Sequence, residues 1–213
     1  MKPLIERSEQ NGLLHHQALP VRTYSEDAIQ KIRVSKSLGC CVDAMCQLPA
    51  MKHVKIIELG CGAADICGPL SEMNHYATVF GVDCNERALA QAAVRYPRLM
   101  VRLSSIQPVL LGEYDLVILC EVLEHLADPN AVAAGALNCG NLSVISHPLD
   151  EAIGSMLSGG DHAWTFSMDD HLNFFALGGH AVDHTEVFQM GLYKIVLSRG
   201  HRVRGDQTHE SGS

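Results

Sequence analysis

From residue 54 onward, short apolar runs alternate with segments carrying the punctuation of helices. Residues 54–59, 78–82, 99–103, 114–120 and 142–147 are short runs rich in Val, Ile, Leu and Phe. That is the pattern of strands buried on both faces. Between them, Asn85 stands at a cap position before a helical run to about Tyr96, which Pro97 ends. Asp128 with Pro129 opens another to about Asn138. Ser167 and Asp170 form a Ser-x-x-Asp box leading into a helix that closes near Gly178-Gly179. Residues 181–187 and 193–197, joined by a short Gln-Met-Gly turn, read as a closing hairpin. The expected fold is α/β: a Rossmann-like, mostly parallel seven-stranded sheet with helices on both faces and a C-terminal antiparallel hairpin.

Upstream, Ser25 can cap a helix whose first turn carries Glu26 and Asp27, where the helix dipole favours acids. Ile29, Ile32, Leu38, Val42 and Met45 then recur at helical spacing until Pro49. The division that follows is a flexible lead-in or lid at 1–24, one domain at 25–198 and a disordered polar tail at 199–213. A chain of 213 residues, 47% hydrophobic and 19% charged, suits one globular domain. No apolar run approaches the roughly 20 residues that span a bilayer, and residues 1–17 lack a signal-type apolar segment, so a cytoplasmic protein is expected. None of the eight cysteines is spaced Cys-x-x-Cys, which predicts reduced thiols packed as small apolar groups. The net charge of -8 matters less than its placement, because no Lys or Arg lies between Arg102 and Lys194. A phosphate backbone needs such cations, so nucleic acid is a poor fit to that half.

Three segments carry the chemistry. In Ile57-Glu58-Leu59-Gly60-Cys61-Gly62-Ala63-Ala64-Asp65 a buried strand enters a glycine turn and a helix follows, so free N–H groups face a ligand. A dinucleotide fingerprint would place glycine where Asp65 stands. An acid two residues before the first glycine instead matches the Asp/Glu-x-Gly-x-Gly-x-Gly pattern of methyl-donor sites, with Ala64 at the third glycine. Asp83 falls at the end of the next strand, where its carboxylate can accept hydrogen bonds from two ribose hydroxyls. After residues 114–120, Glu121, Glu124 and His125 emerge beside the same edge.

With Glu58/Gly60/Gly62, Asp83 and Glu121-Val122-Leu123-Glu124-His125 in this order, residues 50–198 resemble the class I S-adenosylmethionine-dependent methyltransferases, in the branch with a Glu-Val-Leu-Glu-His signature. The resemblance implies that Glu58, Gly60, Cys61 and Gly62 line the methionine part of the donor. It implies that Asp83 holds the ribose, that Cys84 flanks the adenine, and that Ser104, Ser105 and Ile106 contact its ring. Cys120 and Glu121 would border the sulfonium. S-adenosylmethionine would be the co-substrate and S-adenosylhomocysteine the product.

Methyl transfer asks the protein to align donor and acceptor, exclude water and take up a proton. His125, His147 and His162 are the candidate bases, since each follows a strand or lies in an acceptor-side loop. Tyr24 is the candidate in the lid, placed to stack near the sulfonium. Two methyltransferase groups with this signature use a divalent ion, which leaves a metal at Glu121, Glu124 and His125 as an option that the expectation does not favour. The expected acceptor is a neutral or cationic small molecule, methylated on oxygen or nitrogen, with no membrane partner and no prediction of oligomeric state. The alternatives are a metal-dependent RNA 3′-terminal 2′-O-methyltransferase, a nicotinamide oxidoreductase and a non-catalytic donor-binding partner subunit.

Overall fold

The computed structural model describes residues 1–3, 17, 21, 30–49, 52–73, 75–105, 112–151, 162–190 and 193–203. Helix α1 (Gln30–Met45) precedes strand β1 (Val54–Leu59), helix α2 (Cys67–Met73), β2 (Ala77–Asp83), α3 (Glu86–Arg95) and β3 (Met100–Leu103). Then follow β4 (Tyr114–Cys120), α4 (Pro129–Leu137), β5 (Gly140–Leu149), α5 (Met168–Leu177), β6 (His180–Met190) and β7 (Tyr193–Arg202). The seven strands form one sheet in the order β3-β2-β1-β4-β5-β7-β6. β1 to β5 run parallel, and β7 and β6 join antiparallel, as a closing hairpin should.

Strand alternation divides the core into two layers. Ile56, Leu116, Ile118 and Cys120 face Cys41 and Ala44 of α1, Leu70 of α2 and Leu89 and Ala92 of α3. Ile57, Val117, Leu119 and Ile145 face Val132, Ala136 and Leu137 of α4 and Phe174 and Phe175 of α5. Helices therefore cover both faces, and every cysteine is a free thiol, as expected. The caps also form: Asn85 accepts from the N–H groups of Arg87 and Ala88, Asp128 from that of Ala131, and Ser167 closes a reciprocal box with Asp170.

The structure differs from the sequence expectation at the end of the domain. β7 continues through Arg202, so a boundary at 198 would cut a strand. The run Arg199-Gly200-His201-Arg202 looks polar, yet its charges find partners within the fold. Arg199 Nε donates to Asp183 at 2.9 Å, and an Arg202 guanidinium nitrogen donates to the Leu137 carbonyl at 3.2 Å. Pro148 sits inside β5 without breaking a bond to β4, because the β4–β5 pairing ends at Cys120 and Ser146. At the other end of the chain, Lys2 and Pro3 pair antiparallel with Thr165 and Trp164. Ser25, Tyr24 and Ile106 lie outside the described residues. Among the described residues, no helix is long and apolar enough to cross a membrane.

Candidate functional site

The strand order reverses direction between β1 and β4, which opens a crevice at the carboxyl ends of these neighbours. On the β1 side the chain turns through three residues at positive φ: Gly60 at 73°, Gly62 at 52° and Ala64 at 62°. Ala64 thus adopts the backbone of the glycine it replaces. The Val82 carbonyl accepts from the N–H groups of Gly60 and Cys61 at 2.8 and 3.1 Å, tying the turn to β2. A Cβ added at Gly62 would meet open space, so this stretch of backbone is bare toward the crevice. Cys61 points the other way, its sulfur against Gly81 and Cys67 in the core, leaving only its backbone at the turn.

Asp83 organises this corner. One carboxylate oxygen accepts from Gly62 N–H and the other from Asn85 N–H, each at 2.8 Å. An ionised carboxylate has about four acceptor directions, so two remain for a diol. Ser104 is drawn alongside by its N–H, which donates to the Asp83 carbonyl at 3.0 Å, and Ser105 and Cys84 are half-buried beside it. Glu58 behaves differently from a ligand-lining acid. It is 3% exposed and accepts from the Cys67 N–H at 2.9 Å, capping α2 beneath the turn. Burial pushes its pKa up to about 7, against the opposing hydrogen bond from Cys67 and the Arg33 guanidinium.

On the β4 side, Glu121 takes a φ of 55°, uncommon for a residue with a side chain and a frequent mark of functional sites. Its N–H donates to the Ser146 carbonyl at 2.8 Å, and the Ser146 hydroxyl donates to its carboxylate at 3.0 Å. A single 3-10 turn, Leu123–His125, then folds Glu124 inward and leaves His125 partly exposed. The His125 ring lies 4.9 Å, centroid to centroid, from His162 in an edge-to-face arrangement. His162 Nδ1 is 2.7 Å from a Glu151 carboxylate oxygen. Burial alone would lower the His162 pKa, but the Glu151 hydrogen bond and the charges of Glu124, Glu151 and Glu121 outweigh it and hold it above the ordinary histidine value. Glu124 is 1% exposed and its pKa is raised, by burial first and the Glu121 charge second. Among the described residues neither of its oxygens has a hydrogen-bond partner. One ligand atom each from Glu124, His125 and His162 lies within 4.8 Å of the others, a spacing that a metal ion could use.

The third candidate base, His147, is not part of this group. It is fully buried, with Nδ1 donating to its neighbour's carbonyl (Pro148) at 2.9 Å and Nε2 2.8 Å from His171 Nδ1. Burial lowers its pKa to about 4, so it is neutral and structural. Alternation explains the difference, since its side chain enters the layer holding Phe166 and Phe174. Cys120 is likewise buried, under the edge rather than on it. Nothing in the spacing of Glu151 from His162 signals a pair in the sequence. Their meeting depends on Asp150 N–H reaching the Phe166 carbonyl at 2.9 Å.

Residues 57–139 match the family model for a methyltransferase domain. Among curated proteins, the chain is 30% identical over 142 residues to a ubiquinone biosynthesis O-methyltransferase of Bradyrhizobium sp. (strain ORS 278), covering 62% of this chain and 51% of that protein. A namesake from Bradyrhizobium diazoefficiens is 28% identical over 125 residues, covering 51% and 49%. The chain thus spans about half the length of the curated relatives it matches. In fold it resembles the magnesium protoporphyrin IX methyltransferase of Synechocystis PCC 6803 crystallised with bound SAH: the TM-score is 0.69 at 15% identity, over 91% of this chain and 94% of that one.

Proposed function

We propose, from the premise that this chain carries a methyltransferase domain of the S-adenosylmethionine-dependent class I type, that it methylates an oxygen of a small neutral or cationic acceptor. S-adenosylmethionine is the co-substrate and S-adenosylhomocysteine the product. The observation that carries the reading is the imidazole pair His125 and His162, set at the carboxyl end of β4 beside the strand whose glycine turn would hold the donor. The turn at 60–64, Asp83, Cys84, Ser104, Ser105 and the backbone around Cys120 and Glu121 would form the donor's walls.

When bound, the donor supplies a methyl carbon on a positively charged sulfur. The acceptor oxygen bonds to that carbon while the carbon–sulfur bond breaks, its electron pair passing to sulfur. His125 or His162 takes the hydroxyl proton. Two features favour oxygen and a small acceptor. Both curated relatives are named O-methyltransferases. No Lys or Arg lies between Arg102 and Lys194, so this half of the chain offers a phosphorylated acceptor no fixed cation of its own. Calorimetry should show S-adenosylhomocysteine binding to the wild-type chain. Asp83→Ala should weaken it at least tenfold, about 1.4 kcal/mol. Labelled donor with catechol as the probe should give methylated product, lost in His162→Phe while product binding persists. No uptake of S-adenosylhomocysteine by the wild-type chain would sink the reading.

One observation favours a second reading, in which the imidazoles hold an ion instead of taking the proton. A buried carboxylate with both oxygens unpartnered among the described residues, beside two imidazoles, is costly unless a cation satisfies it. Glu124, His125 and His162 would hold a divalent ion such as Mg²⁺ or Mn²⁺, which would polarise the acceptor oxygen. Titrating the chain with Mn²⁺ should give a binding isotherm that Glu124→Gln abolishes. Identical heats for the two proteins would reject the ion.

A further inference from the structure

Glu151 lies eleven residues before His162, and the two side chains meet because both flanking segments are tied down on opposite sides. Asp150, at a φ of 53°, donates its N–H to the Phe166 carbonyl at 2.9 Å, and Leu149 bridges to Phe166. The Thr165 hydroxyl donates to the Glu151 carbonyl at 3.0 Å. From the other side, Ala163 N–H donates to the Glu124 carbonyl at 2.7 Å and the Trp164 indole N–H to the Leu126 carbonyl at 2.6 Å. His162 is therefore clamped between the β4 turn and the end of β5. In that clamp the Glu151 carboxylate, its side chain 3% exposed, sits 2.7 Å from Nδ1 of a ring that is itself 13% exposed.

We propose that Glu151 is a positioning residue: its carboxylate accepts the Nδ1 hydrogen of His162 and so leaves Nε2 as the ring nitrogen whose lone pair is open to the site. The reasoning is one of donors and acceptors. An ionised carboxylate can only accept, so Nδ1 must carry the hydrogen, and a neutral ring then has its lone pair on Nε2. Free histidine favours the opposite tautomer, with the proton on Nε2, which would leave no lone pair on that nitrogen. The other Glu151 oxygen is buried and without a hydrogen-bond partner, so among the described residues the carboxylate's side-chain partner is this ring. What the lone pair serves rests on the methyl-transfer reading; the tautomer itself does not.

The test uses the full chain with ¹⁵N-histidine, the His162 signals being assigned by their loss in His162→Phe. At a pH high enough for the ring to be neutral, the wild type should show the Nδ1–H tautomer. Glu151→Leu, similar in size but without an acceptor, should shift His162 toward the Nε2–H form. With catechol as the probe acceptor its kcat should fall tenfold or more, at unchanged S-adenosylhomocysteine affinity. Glu151→Gln keeps a carbonyl acceptor, so it should retain the tautomer and stay within a few-fold of wild-type kcat. Three results would overturn the proposal: an Nε2–H tautomer in the wild type, an unchanged tautomer in Glu151→Leu, or a Glu151→Gln enzyme as impaired as Glu151→Leu. If the wild type fails to methylate catechol, that counts against the functional reading, and the tautomer signals alone decide the role of Glu151.

Discussion

Ala64 shows how a single position reconciles two demands. Its backbone is left-handed, which costs a residue with a Cβ roughly 1–2 kcal/mol. Its methyl is also fully buried in the layer beneath the turn, worth about 0.8 kcal/mol. Glycine would relieve the strain but lose the methyl and gain unfolded-state freedom of roughly 0.4–1 kcal/mol. These contributions nearly cancel, so Ala64→Gly should unfold in urea within about 0.5 kcal/mol of wild type. Ala64→Val adds β-branching at positive φ and volume to a filled site, and should cost about 2–3 kcal/mol in the same measurement. The residues whose place at the crevice is legible in the sequence are those whose surroundings are local. Asp83, Gly60 and Gly62 announce themselves by a strand, a turn and a cap within a few positions. Glu58 and His147 do not, because burial decides their roles: the first carries its proton to about pH 7, the second stays neutral down to about pH 4.

At the scale of elements, helix α4 is held against the end of α5 by a contact with no slack. A Cβ at Gly178 would lie 2.2 Å from the Leu137 Cβ and 3.0 Å from its Cδ2, far inside van der Waals contact. The Gly178 φ is -88°, so backbone conformation is not what requires glycine there. Gly178→Ala should therefore destabilise the chain by about 1–3 kcal/mol in thermal unfolding, through overpacking alone. Combined with Leu137→Gly, which removes the Cβ that the new methyl would meet, the double variant should cost less than the sum of the two. Elements with strong punctuation were readable: β1 and β4 have the bounds that apolarity predicts, and α3, α4 and α5 start at the expected caps. The apolar pattern stops short of the end of β7 because the strand's last residues, far from the hairpin turn, are charged. Their partners, Asp183 across the hairpin and the end of α4, are brought alongside by the sheet and not by any local pattern.

Across the whole molecule, one polar seam joins the closing hairpin to the central sheet. His147 Nδ1 donates to the Pro148 carbonyl, so its Nε2 accepts from His171 Nδ1. His171 Nε2 must then accept from Ser198, and Ser198 from Thr185, each at 2.8 Å. Both rings are neutral, with burial lowering the His171 pKa from 6.5 to about 3. Because the folded value lies below the unfolded one, the unfolded chain takes up a proton that the fold refuses as pH falls below 6.5. Stability from this source is therefore intact above pH 6.5 and is lost progressively toward pH 3. Glu58 works in the opposite sense between pH 7 and 4.5, since the fold keeps its proton there. A comparison with His171→Gln isolates the histidine. Urea midpoints taken from pH 7 to pH 4 should move in the variant's favour by up to about 1.4 kcal/mol per pH unit below 6.5. A pH-independent gap between the two proteins would refute neutral burial of the ring.

The same seam has a consequence for how the hairpin finds its place. Were β7 to slide by one residue along β5 or β6, Ser198 would swing to the opposite face, and His171 would be left in the interior with a nitrogen that nothing satisfies. Four side chains from four separate elements thus act as a key, admitting a single alignment of the last strand that hydrophobic contacts among Val, Leu and Ile would not by themselves distinguish from its neighbours.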